Sequence, residues 1–175
     1  MTEYRRYFVP GGTFFFTVNL LDRNRRLLTT HIDLLRQAFS QTQSEHPFRV
    51  DAIVVLPDHL HTFWSLPPWE FDFSTRWRKI KARFSRGLPN TERISQSRQI
   101  KGERGIWQRR YWEHAIRDER DYRTHVDYIH FNPVKHRHCL RVGDWPFSSF
   151  NRFVQAGIYP ADWAGGSGFE GRFGE

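Results

Sequence analysis

The chain has 175 residues, enough for one domain with a core of its own but not for two of ordinary size. Lys and Arg number 27 against 19 Asp and Glu, so the net charge is +8 and a polyanionic partner, nucleic acid first, is expected. One cysteine, Cys139, excludes an intrachain disulfide or a cysteine-built metal site, and no apolar run approaches the ~18 residues of a membrane span or forms a signal-peptide core, so a cytoplasmic protein is expected.

Gly11 and Gly12 introduce Thr13–Leu20 (TFFFTVNL), a β-branched and aromatic run that predicts a buried first strand, ended by a turn over Asp22–Arg26. A helix is expected from Thr30, with Leu34, Leu35, Ala38 and Phe39 at helical spacing, until His46-Pro47 breaks it. Phe48–Leu56 reads as a second strand, Pro57-Asp58 as a tight connection and His59–Leu66 as a third, antiparallel strand closed by Pro67-Pro68. Ser74 or Thr75 is the expected cap of a helix to about Arg86, with Trp77, Ile80 and Phe84 on its apolar side and Arg76, Lys79, Arg83 and Arg86 on the other.

Residues 87–105 are polar and Gly-bearing and read as a flexible loop on the DNA side. Trp107–Ile116 is the expected fourth strand, and Asp118 to about Asn132 a second major helix, entered through acidic residues and stopped by Pro133. A short helix through Phe150 and Phe153 follows Trp145-Pro146. The division expected is one domain over 1–156 and a Gly-rich tail over 157–175 that packs across it or frays. The order β α β β α β α predicts an α+β fold, a ferredoxin-like antiparallel sheet with helices packed on one face.

In His59-Leu60-His61 the imidazoles are two residues apart, so on a strand both point to one face and two nitrogens converge. Taken alone, such a pair is more often a hydrogen-bonded pair on a half-buried strand than a metal site. Asp58 is a weaker third ligand, because the adjacent residue on a strand faces away. On the helix from Asp118, Tyr128 and Asn132 stand at i and i+4 and share a face, one turn apart. A phenol, with a pKa near ~10, attacks poorly at neutral pH unless a cation or base eases loss of its proton. Tyr122 should face elsewhere around the helix, Tyr111 belongs to the preceding strand, and a hydrolytic zinc site lacks both H-E-x-x-H and Cys-rich spacing.

These motifs resemble, over nearly the whole chain, the single-tyrosine transposases of the HUH class, and specifically the REP-associated tyrosine transposases of bacteria. The similarity runs through Tyr4-Arg5-Arg6, Gly11-Gly12-Thr13, Val55–His61, Phe73–Trp77, Ile106-Trp107-Gln108, Trp112–Ile116, His125–Ile129, Asn132–His136 and Asp144–Ser149. The resemblance implies an HUH endonuclease fold, His59 and His61 as metal ligands and Tyr128 as nucleophile. Asn132 stands where related insertion-sequence enzymes often carry Gln, and its amide oxygen suits a hard cation, Mg²⁺ or Mn²⁺. It further implies cleavage and rejoining of single-stranded DNA through a 5′-phosphotyrosine, on REP-like hairpins with a single-stranded guide, by a nucleoid-associated protein that is a monomer or, as the alternative, a dimer. Insertion-sequence relatives act as dimers. Arg5, Arg6, Arg76, Lys79, Arg83 and Arg86 are the expected phosphate contacts, with Trp107 and Tyr111 as stacking platforms. The alternative is a sequence-specific hairpin binder that keeps the fold without cutting.

Overall fold

The structure is a computed structural model that describes residues 9–165. Strands β1 (Thr13–Asn19), β2 (Arg49–Val55), β3 (His59–Ser65) and β4 (Trp112–Ala115) form one antiparallel sheet in the order β2-β3-β1-β4. This is the strand order of a ferredoxin-like sheet. The Pro57-Asp58 connection brings β3 back along β2, while β1 sits between β3 and β4, aligning Asn19 with His59, Thr17 with His61 and Phe15 with Phe63. A bulge at Val50/Ala52 shifts the β2 register, and β4 reaches only from Trp112, the earlier residue Trp107 making an isolated bridge to Leu20.

One face of the sheet is covered by α2 (Ile32–Glu45), which follows the single turn α1 (Leu27–Thr30), and by α3 (Phe73–Arg86). Phe14, Phe16 and Val18 of β1 and Leu60 and Trp64 of β3 meet Phe39, Trp77, Ile80 and Phe84 there. Two indoles, Trp64 and Trp77, stack with centroids 4.2 Å apart. The cap of α3 is Asp72, whose carboxylate accepts from the Thr75 backbone N–H at 2.9 Å, rather than Ser74 or Thr75. A carboxylate there also complements the helix dipole, which explains its precedence.

Helices lie on both faces, which corrects the expectation of one covered face. The opposite face is packed by α5 (Glu119–Lys135), which crosses β2 and β3, and by α6 (Phe150–Gln155). Asp118 caps α5 by accepting from the Asp121 N–H at 2.8 Å. Pro133 does not stop α5: it lies inside the last turn, and the helix ends only after Lys135. A proline removes its own N–H bond and crowds the carbonyl four residues back, yet the turn closes past it, the His136 N–H donating to the Asn132 carbonyl at 3.0 Å.

The segment 87–105 is built rather than loose. It contains α4 (Gln96–Ile100), and Arg104 donates to the carbonyls of Ser85, Leu88 and Pro89 and to Glu92 at 2.8 Å. Buried Arg98 donates to the carbonyls of Arg104 and Trp107. Those side-chain-to-carbonyl bonds replace a repeating backbone ladder, so no periodic pattern announces them. The first tail residues also pack, Trp163 lying against Tyr159 and Phe150; Phe169 and Phe173 lie outside the described residues. Among the described residues no helix is long and apolar enough to cross a membrane.

Candidate active site

The face beneath α5 carries the polar alternates of the central strands. Thr17 and Asn19 of β1 and His59 and His61 of β3 are all buried, the two imidazoles at 1 % and 0 % exposure. Burying polar groups costs free energy unless each is satisfied or engaged by a ligand. His61 Nδ1 lies 2.8 Å from Thr17 Oγ1, its cross-strand neighbour, which sets the ring's orientation. His59 Nδ1 donates to Asp58 Oδ1 at 2.8 Å, and Arg23 Nε donates to Asp58 Oδ2 at 2.6 Å. Burial pushes the Asp58 carboxyl up, but hydrogen bonds and charge from His59 and Arg23 outweigh it and hold its pKa well below the carboxylate range. Asp58 is thus the group that orients His59, not a third arm pointing with it. His59 Nε2 is buried and has no hydrogen-bond partner among the described residues.

Tyr128 comes down onto this pair from α5. Its ring is buried, 5.2 Å from that of His61 at 71°, while His59 and His61 are 5.0 Å apart. Lys135 Nζ donates to the Tyr128 hydroxyl at 3.0 Å and sits 4.7 Å from its ring centroid. The final turn past Pro133 brings Lys135 to this position, so ending the helix at Pro133 had hidden it. His136 caps α5 with its ring 5.2 Å from His59. Asn132, one turn beyond Tyr128, is fully buried. The fold therefore brings His59, His61 and Tyr128 together and adds Lys135, His136, Thr17 and the Arg23–Asp58 pair. The i, i+7 spacing of Tyr128 and Lys135 was the one sequence signal for that lysine.

The rival tyrosines are placed apart. Tyr122 packs on Phe63, 5.1 Å between centroids, and burial followed by the Asp51 charge pushes its hydroxyl pKa up. Tyr111 faces the other side of the sheet, against Phe16 and Trp77. A second group able to hold a divalent ion is His114, Asp121 and His125, farther along the same face. Here His114 Nε2 lies 2.8 Å from Asp121 Oδ2, and the two imidazoles stack at 4.7 Å.

The expected DNA contacts separate into two sets. Arg76 is buried and donates to the carbonyls of His46, Pro47 and Asp72, so it ties α3 to the end of α2. Lys79 and Arg83 both pair with Glu45 of α2. Arg86 is exposed, half-buried Tyr111 donates to Ser74 Oγ, and Trp107 is buried with its indole N–H on the Lys81 carbonyl. Arg5 and Arg6 lie outside the described residues.

Residues 16–132 match the model of the family described as Transposase IS200 like, so the class is that of DNA transposases. A REP-associated tyrosine transposase of Escherichia coli (strain K12) is 51 % identical over 165 residues, 94 % of this chain and 92 % of that protein. The solved structure of a REP-associated tyrosine transposase bound to a REP hairpin superposes with a TM-score of 0.85 at 49 % identity, covering 100 % of this chain and 98 % of that one. The chain belongs to the REP-associated tyrosine transposases of the IS200-like family.

Proposed function

We propose that the protein is a single-strand DNA endonuclease and strand transferase that acts on REP-like hairpins, with Tyr128 as nucleophile and a divalent ion held by His59, His61 and Asn132. The observation that carries this reading is the Tyr128 ring against His61, beside a His59 whose buried Nε2 has no hydrogen-bond partner among the described residues. The donor set fits the ion: two imidazoles with their Nδ1 atoms engaged by Asp58 and Thr17, and one amide. Mg²⁺ or Mn²⁺ suits a mixed nitrogen and oxygen set of this kind. When bound, the ion supplies Lewis-acid polarisation of the scissile phosphate.

The remaining work falls to the chain's own residues. Tyr128 Oη attacks phosphorus and loses its proton, the bond from phosphorus to the 3′ oxygen breaks, and that oxygen leaves as a hydroxyl after taking up a proton. One phosphate ester replaces another, so a second 3′ hydroxyl can reverse the exchange without a nucleotide cofactor. Lys135 holds the phenol oxygen and offsets the charge that develops there. Asp58 and Thr17 keep the imidazoles aimed.

The test is Tyr128→Phe with labelled hairpins in Mg²⁺. Cleavage and the covalent DNA adduct should disappear while hairpin affinity stays within about twofold, since only the hydroxyl is removed. Cutting by Tyr128→Phe would place the nucleophile elsewhere; no cutting by the unaltered protein on any hairpin would favour a non-cleaving binder.

A further inference from the structure

A groove of about 740 Å³ runs between α3 and the segment 98–111, on the face of the sheet away from Tyr128. Its lining carries Arg78, Lys81, Arg86, Arg98, Arg104 and Arg109 against a single carboxylate, Glu103. Much of that charge is accounted for by structure: Arg98 and Arg104 donate to backbone carbonyls, and Arg109 pairs with Glu103 at 2.7 Å. Lys81 is different. It is half-buried, its ammonium donates to the Gln108 carbonyl at 3.0 Å, and it lies 5.0 Å from the Tyr111 centroid and 5.9 Å from that of Trp107.

Among the described residues no carboxylate forms an ion pair with Lys81. Burial, then repulsion from Arg98, lowers its pKa to about 8. A cation held between two rings, desolvated and next to another cation, is costly unless an anion arrives. Exposed Arg78 flanks it on α3 and lines the same groove.

The groove's rim leads to the active-site end of the sheet. Trp107 bridges Leu20, and the Gln108 N–H donates to the Asn19 carbonyl at 3.0 Å. Asn19 is in turn paired in register with His59, so rim and metal-ligand strand are two strand spacings apart, about 10 Å. Tyr111 and Trp112 follow each other on opposite faces, one against Trp77 and the other against Phe15. The rim at Trp107 and Gln108 therefore meets β1 at the end of the sheet where Asn19 pairs with His59.

We propose that this groove is the channel for the phosphate backbone of the single strand flanking the hairpin, with Lys81 and Arg78 as its phosphate contacts. The proposal rests on the reading of the chain as a single-strand nuclease.

The experiment measures binding of labelled hairpins with and without a single-stranded flank across a salt series, for Lys81→Gln, Lys81→Arg and Arg78→Gln, each melted to verify the fold. On the flanked hairpin, Lys81→Gln and Arg78→Gln should each make the log–log salt slope shallower by ~0.7, the value for one single-strand phosphate contact. The bare hairpin should bind all variants alike, and Lys81→Arg should keep the original slope. Unaltered affinity and slope on flanked hairpins for both Gln variants would overturn the channel, as would equal losses on bare and flanked hairpins, which assign the groove to the stem. Arg78 is exposed, so its variant tests the channel even if Lys81→Gln unfolds. Cleavage by Tyr128 with neutral groove variants overturns the channel alone, whereas cutting by Tyr128→Phe overturns the nuclease assignment and leaves the binding data to stand.

Discussion

The two faces of the sheet are made from the same strands and have opposite chemistry. Along β1, Phe14, Phe16 and Val18 enter the α2–α3 core, while Phe15, Thr17 and Asn19 turn toward α5. Along β3, Leu60 and Trp64 face the first side, and His59, His61 and Phe63 the second. On the first face the alternate positions of β1 and β3 are apolar except Thr62, whose hydroxyl donates to the Ala52 carbonyl at 3.0 Å, and apolar volume is what stability alone would select. On the second, four polar side chains are buried at the centre of the sheet, where each must be hydrogen-bonded or lower stability. The site proposed for the chemistry therefore lies on the face with more buried polar side chains, and the other face stabilises the platform.

The largest expected effects test this division directly. Trp77→Ala removes the indole stacked on Trp64 and should cost ~3–5 kcal/mol by denaturant unfolding. Under conditions where that variant is still folded, cleavage per folded molecule should persist. His59→Ala and His61→Ala should do the reverse: each should abolish metal-dependent cleavage while changing stability far less, because a buried imidazole contributes little once its partners are counted. Comparable stability losses on both faces, with metal-dependent cleavage intact, would show that the histidines are core residues.

The elements with strong periodicity were legible. The central strands, α2, α3 and α5 follow from alternation and helical spacing, and the His59–His61 pair with Tyr128 follows from strand and helix geometry joined to the family motifs. Three things were not. The cover of α5 on the second face was missed because its stripe is interrupted by His125, Tyr128 and Asn132, polar residues that are nonetheless buried. Lys135 was hidden because proline is a stop signal in general, whereas here the helix runs two residues past Pro133. Composition could not divide the basic stripe, because it cannot tell a phosphate contact from a guanidinium occupied by carbonyls: Arg76 is the second kind, whereas Arg86, with Lys81 from outside the stripe, lines an open groove.

A middle-sized effect probes whether the segment 87–105 belongs to the stabilising face. The hydrogen bonds from Arg104 hold the Glu92 carboxyl down at about 2, against the opposing effect of burial. A carboxylate whose folded pKa is depressed stabilises above its unfolded value near 4.5, and that contribution is lost as pH falls toward about 2. Glu92→Gln should therefore lower stability at neutral pH by about 1 kcal/mol and flatten the decline between those pH values. The check is denaturant unfolding at a series of pH values for both proteins. Parallel curves would mean that the pair contributes nothing to the fold.

The smallest expected effect is the sharpest contrast with charge alone. Arg83 lies on the same helix as Lys81 but points to α2, where it donates to Thr42 Oγ1 at 2.7 Å and pairs with Glu45. Lys79 already donates to the same carboxylate at 2.7 Å, so removing Arg83 leaves Glu45 partnered. Glu45 is exposed while Arg83 is largely covered, and Arg83→Ala should destabilise by about 1 kcal/mol. Its effect on DNA should be nil: an arginine engaged by α2 releases no counterions when a phosphate strand binds, so neither affinity nor salt slope changes. Measured beside Lys81→Gln on the same flanked hairpin, the two substitutions remove one charge each, from one helix, two residues apart. A flattened slope for Arg83→Ala, equal to that for Lys81→Gln, would mean that net charge rather than placement governs binding and that the α2–α3 surface is also part of the DNA path.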